Sequence, residues 1–509
     1  MNVLLSVSDK HGLITFANGL HERGAQLIAS GGTARALAAA GLPVRTVEDV
    51  THSPEILEGR VKTLHPAIHA GILARDTDAD RADLARVGAP MIDLVVVNLY
   101  PFQKTIAQPY VTLADAIENI DIGGVALIRA AAKNYARVAV VCDPHDYELV
   151  LRDLHQHGFV SIQTREVLAL KAFAHTAAYD SAIRDYLAGA RPAGASGDTL
   201  TLRRAQTLRY GENPHQSAAL FGLGEGPHGP LGGKLLQGKE LSYNNLLDLD
   251  AAWKTARHFE LPTVAIVKHL SPCGIASSDD LETAVRAAVA SDPISAFGGV
   301  VAFNRVVDAS ALEAFGELFL EAIVAPGFSP DAVERLRRRK NLRVVEAPAE
   351  LREVYEYRSI TGGILRQSID LGDPADSAWK DVAARTATDA ETNALRFAWG
   401  CAQHVKSNAI VFAREVVPGT VATVGIGGGQ PNRVDCVRIA VARAGDRARG
   451  AVMASDAFFP FPDGIEVAAE AGITAVAQPG GSVRDAEAIA AANKAGMAML
   501  FTGARHFRH

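Results

Sequence analysis

Four short runs of apolar, largely β-branched residues mark the first ~190 residues of the chain. They are Val3 to Val7, Ala25 to Ala29, Ile92 to Asn98 and Val138 to Cys142, and the stretches between them carry helical periodicity. Strands that read as unbroken apolar runs are buried on both faces, and strands that alternate with helices build a mostly parallel sheet covered by those helices. The expected fold class is therefore α/β, with a doubly wound parallel sheet at the N-terminus. Such sheets bind ligands in the crevice at the carboxyl ends of their strands. Ser8, Ser30-Gly31-Gly32-Thr33 and Asn98-Leu99-Tyr100 all fall there.

At ~150 residues per domain, 509 residues predict roughly three folding units. The small-residue stretch from Leu187 to Asp198 has nothing to bury, which places a first domain at 1–190 and a linker at 191–200. The remainder divides into 201–365 and 366–509, and these blocks share a weak pattern. One holds Val267-Lys268 and later Phe297-Gly298-Gly299-Val300; the other holds Val405-Lys406 and later Gly425-Ile426-Gly427-Gly428-Gly429. A duplicated unit explains the pattern, and so does chance.

Lys and Arg number 51 against 57 Asp and Glu, a net charge of −6, with no long basic tract. That disfavours nucleic acid or a membrane surface as partner and favours small-molecule substrates. The apolar start Val3-Leu4-Leu5 gives way at once to Ser6, Ser8, Asp9 and Lys10, too short for a signal peptide or spanning helix, so a cytosolic protein is expected. The four cysteines, Cys142, Cys273, Cys401 and Cys436, are too widely spaced for a disulfide framework. Pro272-Cys273 is half of the Pro-Cys-x-x-Cys element of zinc deaminases, but the second Cys and the upstream His-x-Glu are missing, so no catalytic metal is expected.

Several segments carry chemistry. Ser30-Gly31-Gly32-Thr33 precedes a helix expected over Thr33 to Ala40, where glycine backbone and a helix N-terminus suit an anion; a plain turn with Thr33 as N-cap fits equally. Gly59-Arg60-Val61-Lys62-Thr63-Leu64-His65-Pro66 offers donors for a phosphorylated substrate with a developing oxyanion, or forms a solvated turn. Asn98, Tyr100, Asp121 and Lys133 lie near other strand or helix ends. Asp121-Ile122-Gly123-Gly124 either caps the helix expected over Val125 to Lys133 or aims Asp121 into the crevice. Leu208-Arg209-Tyr210-Gly211-Glu212-Asn213-Pro214-His215-Gln216 is a loop dense in hydrogen-bonding groups, suited to an anionic aromatic ligand. Lys268-His269 closes the strand expected over Thr263 to Val267. It sets a fixed positive charge beside an imidazole able to take a proton from an amine nucleophile, although an exposed Lys-His pair at a strand end needs no function.

Taken in order, these segments, with Ser6 to Lys10, His404 to Asn408, Gln478 to Ser482 and Arg505 to His509, resemble one family over essentially the whole chain. It is the bifunctional aminoimidazole carboxamide ribonucleotide (AICAR) formyltransferase/inosine monophosphate (IMP) cyclohydrolase family of purine biosynthesis. The resemblance implies a methylglyoxal-synthase-like first domain and a transferase of two cytidine-deaminase-like units. It also implies 10-formyltetrahydrofolate as co-substrate, a possible structural monovalent cation, and a homodimer. For formyl transfer it implies Lys268, His269 and Asn408 as catalytic, and for ring closure Lys62, Tyr100, Asp121 and Lys133. Its implied phosphate cradle is Lys10, Ser30, Gly32 and Thr33, with Ser8, Gly31, Arg60, Thr63, Asn98 and Gly123 as further contacts in the first domain. In the second half the implied contacts are Arg209, Tyr210, His215, Phe297, Gly298, Gln430, Arg433, Phe458, Phe507 and His509. The chain departs from the family pattern at Ser271, Gly428, Pro431-Asn432 and Pro462-Asp463-Gly464.

Overall fold

A computed structural model describes residues 1–189, 200, 202–223, 229–349 and 355–509. The chain forms two compact units, Met1–Thr199 and Leu200–His509. Apart from Leu200, the linker expected over 191–200 lies outside the described residues.

In the first unit, β1 (Asn2–Val7), β2 (Gln26–Ala29), β3 (Val44–Thr46), β4 (Leu94–Asn98) and β5 (Ala139–Val141) form one parallel sheet of order β3-β2-β1-β4-β5. Strand order reverses at β1, so the crevice lies beyond the carboxyl ends of β1 and β4. The four expected strands are all present, and the apolar runs form the buried centre: Leu4, Ile28, Val95 and Val140 have no exposed surface. The sequence hides β3, whose three residues make no apolar run. The helix expected from Thr33 begins earlier, at Gly31, with Ser30 as its N-cap. Thr33 instead turns its hydroxyl to the backbone of Val7, accepting from the N–H at 3.1 Å and donating to the carbonyl at 3.2 Å. That fixes the helix N-terminus beside the end of β1.

Arg137 lies at the opposite end of the sheet, before β5 and against Ile92 and Asp93 before β4. Its guanidinium donates to the carbonyls of Gly71, Ile72 and Ala74 at 2.7 to 3.0 Å, and so fills the free acceptors at the C-terminus of the helix Pro66–Leu73. The loop that carries Lys62 feeds the opposite end of that helix, which Arg137 thereby holds in place.

In the second unit, β6 (Leu202–Leu208) and β7 (Ala218–Leu223) form a separate hairpin. The main sheet contains β8 (Lys234–Gln237), β9 (Thr263–Lys268), β10 (Ser271–Ser277), β11 (Gly299–Phe303), β12 (Leu320–Ala325) and β13 (Arg343–Glu346). After a second hairpin, β14 (Tyr355–Ile360) and β15 (Gly363–Ser368), the sheet continues with β16 (Lys380–Asp381), β17 (Ala409–Val417), β18 (Thr420–Gly428), β19 (Val452–Ser455), β20 (Ala475–Gln478) and β21 (Ala498–Phe501). The division expected at 365/366 falls inside β15.

Duplication is visible in the pairing. The order β10-β9-β11-β12-β13, antiparallel twice and then parallel twice, is repeated as β18-β17-β19-β20-β21 with the same senses. The halves join where β10 pairs antiparallel with β18, at Ala276–Ala422 and Ser277–Val421. A packing device is repeated as well. A Cβ on Gly274 in β10 would lie 2.0 Å from the carbonyl oxygen of Ala288 in the helix Leu281–Ser291, and one on Gly427 in β18 would lie 1.9 Å from that of Cys436 in the helix Arg433–Ala444. Both glycines let a helix sit directly on its strand. The motifs that suggested the repeat do not correspond, however. Lys268 ends β9, whereas Lys406 precedes the equivalent strand β17; and the glycine-rich β18 is equivalent to β10, not β11. Short matches track strand ends in general, so they marked the right architecture through the wrong pairs.

Candidate active sites

At the end of β1, the N–H groups of Ser8 and Asp9 both donate to Asn98 Oδ1, at 2.5 and 2.9 Å, and Asn98 Nδ2 donates to the carbonyl of Asp9 at 2.8 Å. Asn98 is thus spent on joining β1 to β4. Beside it the helix Gly31–Ala39 opens with Gly31 at φ 47°, and a Cβ there would lie 2.8 Å from Lys62 Nζ. A Cβ on Gly32 would lie 3.8 Å from both Lys10 Nζ and an Arg35 guanidinium nitrogen. Three cations therefore converge on a helix N-terminus whose free N–H groups already favour an anion. Ser30 and Thr33 are buried beneath it. Arg35 was not anticipated; its place one turn into a helix that opens on paired glycines was the available signal.

Next to this cradle lies a titratable group. Asp121 Oδ1 accepts the N–H of Gly124 at 2.7 Å, and the Asp121 N–H donates to the hydroxyl of Tyr179 at 2.8 Å. Asp121 thus caps its helix, Gly123–Lys133, and also faces the crevice. Burial raises its pKa, against the N–H groups of Gly124 and Tyr100 and the charge of Lys62, and burial prevails. The Tyr100 hydroxyl is raised too, by burial and then by the charge of Asp121. The Thr63 hydroxyl oxygen would lie 2.8 Å from a Cβ on Gly123, which brings the 59–66 loop to the same helix end. Tyr179 comes from the distant helix Ile162–Gly189, and no local pattern could have named it.

Two expected members stand apart. Lys133 is exposed on the last turn of the helix that begins at Gly123, about 15 Å along its axis at 1.5 Å per residue. Arg60 forms a bidentate pair with Glu118 at 2.9 to 3.1 Å on the surface.

In the second unit, Lys268 is the last residue of β9, one residue later than expected, and its Nζ donates to the carbonyl of Phe297 at 2.8 Å. A Cβ on Gly298 would lie 3.9 Å from the same nitrogen. Lys268 pairs with Ser271 across a two-residue loop, His269-Leu270, in which both residues have positive φ, 54° and 61°. Lys268 and His269 line a cavity of about 350 Å³ with Cys273, Asp292, Lys406, Ile426, Gln430 and Arg443, at the junction of β10 and β18. Burial, then the charge of Asp292, pushes the Cys273 thiol up to about 12, so it stays protonated. Among the described residues no group of three or more His, Cys, Asp or Glu side chains is placed to hold a metal ion.

The loop from Arg209 to Gln216 reaches this region through one helix. Arg209 stacks over Tyr210, 4.6 Å from the ring centre, and donates to its hydroxyl at 2.9 Å; His215 is exposed. Asn244 Nδ2, on the helix Tyr243–Arg257, donates to the carbonyl of Glu212 at 3.3 Å. Asp248, one turn on, accepts from His269 and Leu270. Residues four apart share a helix face, so one helix seats both the loop and the His269 turn.

Asn408 and Arg433 are bonded to each other and to the protein around them. Asn408 Nδ2 donates to the carbonyls of Gln430 and Pro431, at 2.8 and 3.2 Å, and its Oδ1 accepts from Arg433 at 2.7 Å. Its Nδ2 thus holds the 430–431 loop, which carries Gln430 into the cavity. Arg433 is buried and forms an ion pair with Asp456, which has no exposed surface. Gly428 is required by its neighbours: an alanine Cβ there would lie 2.4 Å from Val405 Cγ1.

Phe458, Phe507 and His509 are exposed, and the tail that bears the last two is docked. His506 is 4% exposed, with Nδ1 2.6 Å from Asp370 and Nε2 2.9 Å from Asp373. Burial alone would lower its pKa, but the two carboxylates prevail and push it up to about 9. Stability from this pair is present in full below the ordinary value of 6.5 and is lost as pH rises through about 9. The melting temperature of the second unit should fall across that window, and His506→Gln should flatten the dependence while lowering the melting temperature at the acid end; an unchanged slope in the variant would assign it elsewhere.

Comparison with known proteins decides the family. The AICARFT/IMPCHase bienzyme model matches residues 131–443, and an MGS-like domain model matches residues 12–126. The chain belongs to the AICARFT/IMPCHase bienzyme family. It is 53% identical over 524 residues to a bifunctional purine biosynthesis protein PurH of Sorangium cellulosum, covering 99% of both chains, and 51% identical to one of Myxococcus xanthus, covering all of both. A third, of Chloroflexus aurantiacus, is 52% identical over 100% of this chain and 99% of its own. The bienzyme pairs an AICAR formyltransferase with an IMP cyclohydrolase, and its transferase uses a folate-derived co-substrate. Among the described residues no helix is long and apolar enough to cross a membrane.

Proposed function

We propose that the second unit transfers the formyl group of 10-formyltetrahydrofolate to the 5-amino group of AICAR, and that the first unit closes the formylated product to IMP with loss of water. The observation that carries this reading is the Lys268–His269 turn at the mouth of a cavity lined by both repeats. In transfer, the amine nitrogen bonds to the formyl carbon and the bond from that carbon to the folate nitrogen breaks; His269 takes the proton of the attacking amine and returns it to the departing nitrogen, while Lys268, beside it, stabilises the charge that develops on the formyl oxygen. Asn408 serves by holding the Gln430 loop, while Arg209 and Tyr210 contact the nucleotide.

In ring closure, the carboxamide nitrogen attacks the formyl carbon, forming the C–N bond, and the C–O bond then breaks so that the formyl oxygen leaves as water with one proton from the carboxamide nitrogen and one from the formamido nitrogen. Asp121, whose raised pKa makes it the stronger base, takes the nitrogen's proton, and Lys62 and Tyr100 face the oxygen that must leave. Lys133 is left out of this relay because it stands a helix length away. Lys10 and Arg35 hold the phosphate.

Asp121→Asn should slow ring closure by about 10²- to 10⁴-fold, so that formylated nucleotide accumulates from AICAR and 10-formyltetrahydrofolate. IMP formed at the full rate would sink the assignment. We place the enzyme in the cytosol, as a homodimer. The hairpin β14–β15 supports the dimer: every residue of both strands is exposed, Tyr355, Tyr357, Ile360, Ile364 and Leu365 among them. A lone two-stranded hairpin is marginal in water, so a second copy that covers it accounts for its order. Sedimentation equilibrium at twice the chain mass is expected; the mass of one chain would refute the dimer.

A further inference from the structure

The His269-Leu270 loop carries a conformational cost that its own residues do not offset. A two-residue hairpin with both residues at positive φ is the geometry that Asn-Gly or Gly-Gly adopts readily, and here the positions hold an imidazole and a branched apolar side chain. Non-glycine residues in that region are strained and persist only where their surroundings impose it. Both residues are exposed, so core packing does not impose it. One side chain answers directly. Asp248, half-buried on the helix Tyr243–Arg257, accepts the N–H of Leu270 at 2.7 Å on Oδ1 and that of His269 at 3.3 Å on Oδ2. The same helix face receives the 209–216 loop through Asn244.

We propose that Asp248 is a positioning residue for formyl transfer: its carboxylate clamps the two successive N–H groups of the strained turn and so aims the His269 imidazole at the amine, without touching substrate. The proposal rests on His269 being the proton acceptor. A clamp of this kind sets the reacting geometry rather than ground-state affinity. Its loss therefore falls on kcat, and any change that lets the turn form unaided restores the rate. Leu270→Gly is that change, because glycine enters the positive-φ region without cost.

The test compares Asp248→Ala, Leu270→Gly and the double variant in the full chain, with AICAR and 10-formyltetrahydrofolate. Asp248→Ala should lower kcat for transfer by about ten- to a hundredfold, the penalty of a misplacement near 1 Å. KM for both substrates should stay within about threefold, since ground-state binding is kept. Ring closure of supplied formylated nucleotide should be unchanged. Adding Leu270→Gly should recover most of the lost kcat, or restore accumulation if the single variant does not fold. A wild-type kcat in Asp248→Ala, or a double variant no better than the single one, overturns the clamp. If His269→Ala alone retains transfer, the reading of His269 fails instead, and the two failures are thereby told apart.

Discussion

Replacing His269 with alanine should abolish formyl transfer, by about 10²- to 10⁴-fold in kcat, while ring closure of supplied formylated nucleotide proceeds at the wild-type rate. The size follows from the nucleophile. An aromatic amine beside a carboxamide is a weak attacker, and it becomes a better one only as its proton leaves. Within the cavity Lys268 Nζ donates to the Phe297 carbonyl, and the Cys273 thiol is held protonated. The Asp292 carboxylate is taken up by the Ser295 N–H and hydroxyl and by Arg443, which leaves His269, carried on the turn between β9 and β10, as the group to accept the proton. The separation follows from the fold, because Asp121, Lys62 and Tyr100 are held entirely by elements of the first unit. Transfer at a near-normal rate in the variant would mean that another group accepts the proton.

Arg433→Ala should cost about 3–5 kcal/mol of stability in the second unit, because it strands a buried carboxylate. Asp456 has no exposed surface, and Arg433 also donates to Asn408 Oδ1 at 2.7 Å and to the Ser455 hydroxyl at 2.7 Å. Removing the guanidinium would leave acceptors from two strand ends unpaired in one place. Replacing both charges with apolar residues, Arg433→Met with Asp456→Leu, should recover part of the loss, since no charge is then left uncompensated. Denaturant unfolding of the variants measures this directly. Were Arg433 a substrate contact alone, Arg433→Ala would unfold like the wild type and show only a raised KM.

That contrast shows what the sequence could and could not disclose. The β1, β2, β4 and β5 runs were legible because buried parallel strands leave apolar stretches that need no knowledge of their neighbours. β3 left none, since three residues at a sheet edge bury little. Gly31-Gly32, Lys62 and Asp121 were legible as chemistry at strand and helix ends, and the fold gathers them. The polar side chains that the fold ties up share one property: each is an anionic, cationic or amide side chain whose partner is distant in sequence. Arg433 meets Asp456 across 23 positions, Asn408 meets Gln430 across 22, and Asp248 meets Leu270 across 22. No local pattern distinguishes a polar side chain spent on the protein from one left for a ligand. Lys133 shows the converse, since a motif residue twelve positions after Asp121 is carried by the helix between them to the far side of the sheet.

The most direct measurement of the whole account is to incubate the purified full-length chain with AICAR and 10-formyltetrahydrofolate and to follow both nucleotides by chromatography. Consumption of AICAR with matching appearance of IMP, interrupted before the formylated nucleotide in His269→Ala and after it in Asp121→Asn, is the predicted result. AICAR left unconsumed by the wild-type chain, or both variants stopping at the same nucleotide, would contradict it.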